Sequence, residues 1–289
     1  MENDILTILM EKKSSFSKGQ KKICAYIVEF YDKAAFMTAS KLGSAVGVSE
    51  STVVRFAVEL GFDGYPEMQK AMQEMVMNRL TSVQRIEVAN NRIGNQDILT
   101  KVLQADADKL RQTAETISRE HFQCAVDKIL RSRRIYILGV RSAAPLAEFA
   151  GYYMNYMLDN VHIITTSGAG ELFEKLIGIT SEDVVLAFSF PRYSATVLKA
   201  AQYCRSVGAT VVGITNTSLS PLGQNSDYVL CAKSDMVSMV DSLVAPLSVV
   251  NALLVALTSA REKNLQKRLE TLESVWETYN IYEKRVDNP

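Results

Sequence analysis

The chain has 289 residues, 47% of them hydrophobic, with 32 Lys and Arg against 32 Asp and Glu. That length suits two domains, and the apolar fraction suits folded cores. A net charge of zero excludes global attraction to nucleic acid, so phosphate contacts would need a local basic patch.

Residues 1 to about 80 read as helices. Ser17 caps a helix in which Ile23, Tyr26, Ile27 and Phe30 recur at helical spacing. A short helix follows from Thr38 to Val46, with Ala39, Leu42, Ala45 and Val46 turned inward. Gly47 breaks it, and Ser49 stands as N-cap of a third helix that stops at Gly61. GFDGYP is a turn, and another helix starts near Pro66. Residues 1–80 are taken as one all-α domain and 81–120 as a polar helical connector. Residues 121–289 form an α/β domain that ends in C-terminal helices. In it RRIYILGV, VHIITT, DVVLAFSF, TVVGITN and DYVLCA read as five short apolar strands. Helices are expected from Pro145, near 170–179 and near 194–207, the alternation of a parallel sheet covered on both faces. Two further helices are expected at about 240–263 and 264–285.

The opening segment MENDILTILMEKK places acids before a short apolar run, unlike a signal peptide. The stretch Leu243–Ala260 is broken by Pro246, Ser248 and Asn251, and reads as a buried helix with no membrane role. Cys24, Cys124, Cys204 and Cys231 form no CxxC, and His121 and His162 complete no zinc spacing. No metal or cofactor is expected, and the thiols fit a reducing cytoplasm.

The segment ASKLGSAVGVSESTVVRFAVELG carries the first functional signal. Val48 plugs the core behind Gly47, and Val53, Phe56 or Ala57, and Leu60 face inward. That leaves Ser49, Glu50, Ser51, Thr52 and Arg55 at the outward start of the second helix, where a helix-turn-helix meets base edges. Arg55 can pair bidentately with guanine. Lys12, Lys13, Lys18, Lys21 and Lys22 cluster nearby, and Lys18, Lys21 and Lys22 are candidate phosphate contacts. The motifs SxxQKKIxxYI from Ser17, VGVSESTVVRF and LGFDGYPEMQ resemble the N-terminal domain of the RpiR family of bacterial regulators. The resemblance implies homodimers or larger assemblies, such as homotetramers, on palindromic double-stranded operators.

The second signal lies at two strand ends. Strand one runs into ILGVRSAAPLA and strand three into AFSFPRYSAT. In an open parallel sheet ligands sit beyond the carboxyl ends of the strands. Gly139, Arg141, Ser142, Ser189, Arg192, Tyr193 and Ser194 therefore form a candidate anion cradle of hydroxyls, helix amides and guanidinium groups. Each serine could instead be a plain N-cap. Residues about 120 to 262 resemble a SIS domain, the sugar isomerase fold, which binds phosphosugars. That family's first loop reads Gly-x-Gly-x-Ser, and here the second glycine is Arg141. Its second loop reads Ser-x-Ser-Gly-x-Ser/Thr. Here Ser189 and Ser194 match, Pro191 replaces the second serine and Arg192 the glycine. The resemblance implies a regulator of carbohydrate metabolism, controlled by a phosphosugar or similar anion. The rival is a phosphosugar isomerase, which needs a general base near the sugar carbons. Glu148, Glu171 and Glu174 are available, yet none is singled out, so no catalytic residue is assigned.

Overall fold

The computed structural model describes residues 5–79, 85, 97–234 and 240–282. The chain divides into two compact units, Met1–Gly94 and Asn95–Pro289. The division falls inside the segment expected to be a connector. Of that segment, residues 81–84 and 86–96 lie outside the described residues.

The first unit holds α1 (Ile5–Lys12), α2 (Lys18–Glu29), α3 (Tyr31–Ala34), α4 (Ala39–Val46), α5 (Glu50–Leu60) and α6 (Tyr65–Arg79). Local chemistry sets each boundary. Ser17 and Gln20 form a reciprocal capping box at the start of α2. Thr38 caps α4, and Gly47 ends it in the left-handed conformation, φ 69°. Ser49 caps α5 and Gly61 ends it at φ 102°. Ile23, Ile27, Leu42, Val53, Phe56, Ala57 and Met68 are wholly buried in one cluster. Each large apolar side chain of that kind stabilises the unit by about 1.5–3 kcal/mol. Both Phe56 and Ala57 point inward, so the choice between them disappears. Ala45, expected inside, is exposed, and Gly43 takes the buried place. A β-carbon on Gly43 would lie 2.8 Å from the Val48 carbonyl oxygen. The turn approaches α4 too closely for any side chain there.

The second unit opens with α7 (Ile98–Thr116) and α8 (Arg119–Arg131). Helix α7 is integral to it. The Thr113 hydroxyl accepts from the Lys233 amide at 3.0 Å, and Asp106 accepts from the Ser242 hydroxyl at 2.6 Å. A parallel sheet follows, built from β1 (Ile135–Leu138), β2 (Val161–Ile164), β3 (Val184–Phe188), β4 (Thr210–Thr215) and β5 (Tyr228–Cys231). Interleaved are α9 (Ala144–Met157), α10 (Ala169–Leu176), α11 (Ala195–Ser206) and α12 (Pro221–Gln224), before α13 (Val244–Tyr279). The strand order is β2-β1-β3-β4-β5, every pair parallel. Alternate strand residues feed two cores. Ile135, Ile137, Leu186 and Ile214 join the α9 and α13 side. Tyr136, Leu138, Val185 and Val211 join the α10 and α11 side.

The two expected C-terminal helices are both present within α13, separated by a kink at the non-helical Arg261 (φ −119°, ψ 15°). The Arg261 guanidinium donates to the Leu130 carbonyl at 3.0 Å, tying the bend to the end of α8. Residues 283–285 of the expected second helix lie outside the described residues. Val244–Glu262 has the length and hydropathy of a membrane span. Ala245, Val249, Val250, Leu253 and Leu257 are nonetheless buried in the sheet's core.

Candidate functional site

In the first unit, Ser49, Glu50, Ser51 and Arg55 are exposed and Thr52 is half-buried. Ser49 is primarily a cap. Its hydroxyl accepts from the Thr52 amide and lies 2.9 Å from the Ser51 hydroxyl and 2.8 Å from that of Thr52. Arg55 folds along its own helix, Nε donating to the Ser51 carbonyl at 3.2 Å. Lys12, Lys13, Lys18, Lys21 and Lys22 are all exposed. The Lys12 ammonium reaches the Glu59 carbonyl near the end of α5 at 3.2 Å, and the Gln20 amide bonds the Glu59 carboxylate. These contacts set the basic entry to α2 beside the outward helix α5. Glu50 carries negative charge at the amino end of α5, which suits the helix dipole but not a phosphate.

In the second unit, β1 lies between β2 and β3, so the chain reverses direction across the sheet at the β1–β3 boundary. That is the switch point where open α/β sheets bind ligands. Leu138 pairs with Ala187, so the Gly139–Ser142 and Ser189–Ser194 loops leave neighbouring strand ends. Gly139 is packed tightly, since a β-carbon there would sit 2.7 Å from the Ala143 carbonyl oxygen. Four described non-glycine residues have positive φ. Two are asparagines, which tolerate that conformation. The others are Arg141 at φ 57° and Arg192 at φ 66°, both exposed. A left-handed backbone costs an ordinary L-residue about 1–2 kcal/mol. Two such arginines on adjacent loops mark stored strain where function is expected.

The serines do not behave as plain caps. Ser194 occupies the N-cap position of α11, but its side chain caps nothing. Ser142 lies in the 3₁₀ turn Arg141–Ala143, and the N-cap of α9 is Ala143, without a side-chain bond. No side chain therefore competes with an anion at the amino end of α11, whereas at α9 the Ala144 amide already donates to the Arg141 carbonyl and Pro145 has no N–H. Ser189 is 3% exposed, and its hydroxyl has no hydrogen-bond partner. A buried hydroxyl without a partner costs about 1–3 kcal/mol. The Tyr193 hydroxyl donates to Asn216 Oδ1 at 2.8 Å, so Asn216, at the end of β4, belongs to the same edge. Asn216 escaped the sequence reading, although a polar Thr-Asn step after an apolar strand was the available signal.

Open volume points elsewhere. A cleft of about 340 Å³ at the amino edge is lined by Lys128, Arg131, Asp183, Thr210 and Tyr228 among others. Its buried carboxylate is already committed. Arg133 holds Asp183 through bonds of 3.0 and 2.8 Å, and the Thr180 amide adds a third at 2.8 Å. Burial pushes the Asp183 pKa up, but Arg133 and Thr180 outweigh it and hold it below the ordinary value. That edge is a structural clasp, and the left-handed arginines and the unpartnered Ser189 hydroxyl lie at the other one.

Neither histidine serves the carboxyl edge. His162 stacks on Tyr136 at 5.1 Å, and His121 Nδ1 accepts from the Val229 amide at 3.0 Å. Glu148 and Glu174 are exposed. Glu171 is bonded by the Thr166 hydroxyl at 2.6 Å and paired with Lys175 at 2.9 Å. Those bonds hold its pKa below the usual carboxylate range. Among the described residues no cluster of His, Cys, Asp and Glu is placed to hold a metal ion.

The family model for the helix-turn-helix domain of the rpiR family matches residues 3–79, and the SIS domain model matches residues 128–256. The chain belongs to the RpiR family of transcriptional regulators. It is 27% identical over 223 residues to an uncharacterized HTH-type transcriptional regulator of Haemophilus influenzae, covering 75% of each chain. It is 21% identical over 276 residues to the HTH-type transcriptional regulator HexR of Pseudomonas aeruginosa, covering 93% of this chain and 94% of HexR. Two solved structures share its fold. The sugar isomerase domain of an RpiR transcription factor from Sphaerobacter thermophilus superposes with a TM-score of 0.60 at 24% identity. It covers 62% of this chain and 99% of that one. NanR of Vibrio vulnificus, solved with ManNAc-6P, gives 0.59 at 21% identity, covering 95% and 98%.

In this RpiR-family regulator both loops hold an arginine in the left-handed conformation, Arg141 and Arg192. Arg141 and Arg192 stand where the SIS loop pattern has glycine.

Proposed function

We propose that this RpiR-family regulator binds a sugar phosphate or similar anionic sugar at the carboxyl edge of its SIS sheet, and that occupancy changes its affinity for an operator. Gly139, Arg141, Ser142, Ser189, Arg192, Tyr193 and Ser194 make up the cradle. One observation carries the reading: two arginines held at positive φ on adjacent loops at the switch point. Strain of that kind persists only where the surroundings impose it. Here it sets two cations near the amino end of α11, which no side chain caps. The buried Ser189 hydroxyl gains a partner once the loop after it shifts to admit a ligand oxygen. NanR, of the same fold, was solved with ManNAc-6P, which supports the phosphosugar class.

The same reading makes the chain a binder, not an isomerase. A general base works best with a pKa near the operating pH. Glu171, at this edge, is held low, and both histidines are engaged elsewhere. Ser51, Thr52 and Arg55 read bases, while Lys18, Lys21 and Lys22 hold phosphates. One recognition helix reads one half-site, so the working unit is a homodimer or homotetramer, acting on DNA in the cytoplasm. Calorimetric titration with a panel of sugar phosphates, with product formation measured in parallel, tests the reading. Binding without turnover is expected. Turnover would establish the isomerase, and no binding would refute the cradle.

A further inference from the structure

Strand β4 ends beside Ser189 in a chain of buried polar groups. Phe188 pairs with Ile214, so the next residues, Ser189 and Thr215, stand side by side. Asn216 follows and is 7% exposed. Its Oδ1 accepts from the Tyr193 hydroxyl at 2.8 Å and from the Thr215 hydroxyl at 3.3 Å. Thr215 is itself bonded to Ser220 at 3.0 Å, and Ser220 caps α12 through the Gly223 amide at 3.0 Å. The oxygen end of the Asn216 amide is therefore fixed by two hydroxyls anchored in the fold.

The nitrogen end is different. Among the described residues it donates to nothing, yet it is not sealed as the Ser189 hydroxyl is. A carboxamide has two donors to place, and buried polar groups are normally satisfied. An amide locked at its acceptor end and open at its donor end is prepared to meet an acceptor.

We propose that Asn216 is a ligand-recognition residue that donates to a neutral oxygen, a hydroxyl or carbonyl, on the ligand whose charged group meets Arg141 and Arg192. Tyr193 is its positioning residue. The proposal rests on the anion-cradle reading and adds the chemistry of the ligand's uncharged part. Ser189, Tyr193, Thr215 and Asn216 carry no charge, so a second anion among them would be desolvated without a counter-ion. The exposed arginines select charge, and the buried floor selects a neutral acceptor. The edge thus prefers a phosphate ester with a hydroxylated or acylated body over phosphate alone.

Calorimetry on the full chain tests this with three probes: fructose 6-phosphate, ManNAc-6P and inorganic phosphate, the last measured by displacement at millimolar concentration. Asn216→Ala should weaken the tighter sugar phosphate by about tenfold or more, and change inorganic phosphate by less than about twofold. Arg192→Ala should weaken both. Tyr193→Phe leaves the amide unlocked, and should lower the ratio of sugar phosphate to phosphate affinity by less than Asn216→Ala does. If Asn216→Ala fails to fold by circular dichroism, the Tyr193→Phe ratio decides. A wild-type ratio in the variants that fold overturns the assignment of Asn216 while leaving the cradle standing. If Arg192→Ala changes nothing, or no probe binds the wild type, the cradle fails and its floor with it.

Discussion

Replacing Arg141 by glycine should raise stability and remove ligand affinity at once. Arg141 sits at φ 57° and is exposed, and its guanidinium makes no hydrogen bond or ion pair with another described residue. Glycine adopts that backbone freely, which recovers about 1–2 kcal/mol. Its greater freedom in the unfolded chain returns about 0.5–1 kcal/mol of that gain. The net is about 0.5–1 kcal/mol in favour of the variant. For a unit of this size that raises the melting temperature by about 1–4 °C. Arg141→Ala is the control. It keeps the left-handed backbone and loses the guanidinium, so its stability should stay within about 0.5 kcal/mol of wild type. Both variants should lose about 1.5–3 kcal/mol of ligand binding, roughly tenfold to a hundredfold. Scanning calorimetry without ligand and titration with a sugar phosphate make the two measurements. If Arg141→Gly melts below wild type, the arginine supports its loop and the strain argument is wrong. If it melts higher but binds ligand as well as wild type, the strain serves nothing at this site.

Three further outcomes are expected. Arg55→Ala should cost about 1–3 kcal/mol at one base of the operator and relax preference there, checked by gel shifts on base-substituted duplexes. Replacing Lys21 and Lys22 together should weaken binding to all duplexes alike and lower the salt slope by about one for each phosphate no longer neutralised, checked by affinity against salt concentration. Asp183→Asn should destabilise the second unit by about 2 kcal/mol, a figure reduced because Arg133 is partly exposed. The native Asp183 pKa is depressed, so its contribution is complete at neutral pH. It is lost as pH falls below about 4 and through the native value. Wild-type and Asp183→Asn melting curves should therefore converge towards low pH.

Elements with a strong local signal were legible in the sequence. Ser17 with Gln20, and Ser49 between Gly47 and Gly61, mark helix ends because caps act through neighbouring atoms. The five strands showed as short apolar runs because both faces of the sheet are covered. Features set by distant contacts were hidden. Ala45 is exposed and Gly43 buried because the turn carbonyl at Val48 presses on α4. Helix α7 looks polar, yet the partners of Thr113 and Asp106 lie more than a hundred residues away. The two C-terminal helices were legible, but the tie of their kink at Arg261 to the Leu130 carbonyl was not. At the sheet edge the residue types were visible, as was the reason for strands one and three to meet. The left-handed arginines were not, because no local rule puts arginine there. Asn216 was missed because its importance depends on Tyr193 reaching it from another loop.

The most direct test of the account is operator affinity with and without the sugar phosphate that binds. The operator would be a duplex selected from random sequence, and the proteins the wild type and the Arg141→Ala, Arg192→Ala double variant. Ligand should shift wild-type affinity by about fivefold or more, in either direction. The double variant should bind the same duplex as tightly as wild type does without ligand, and should show no shift. A ligand that binds the wild type and leaves operator affinity unchanged would contradict the account, as would a double variant that responds as fully as the wild type.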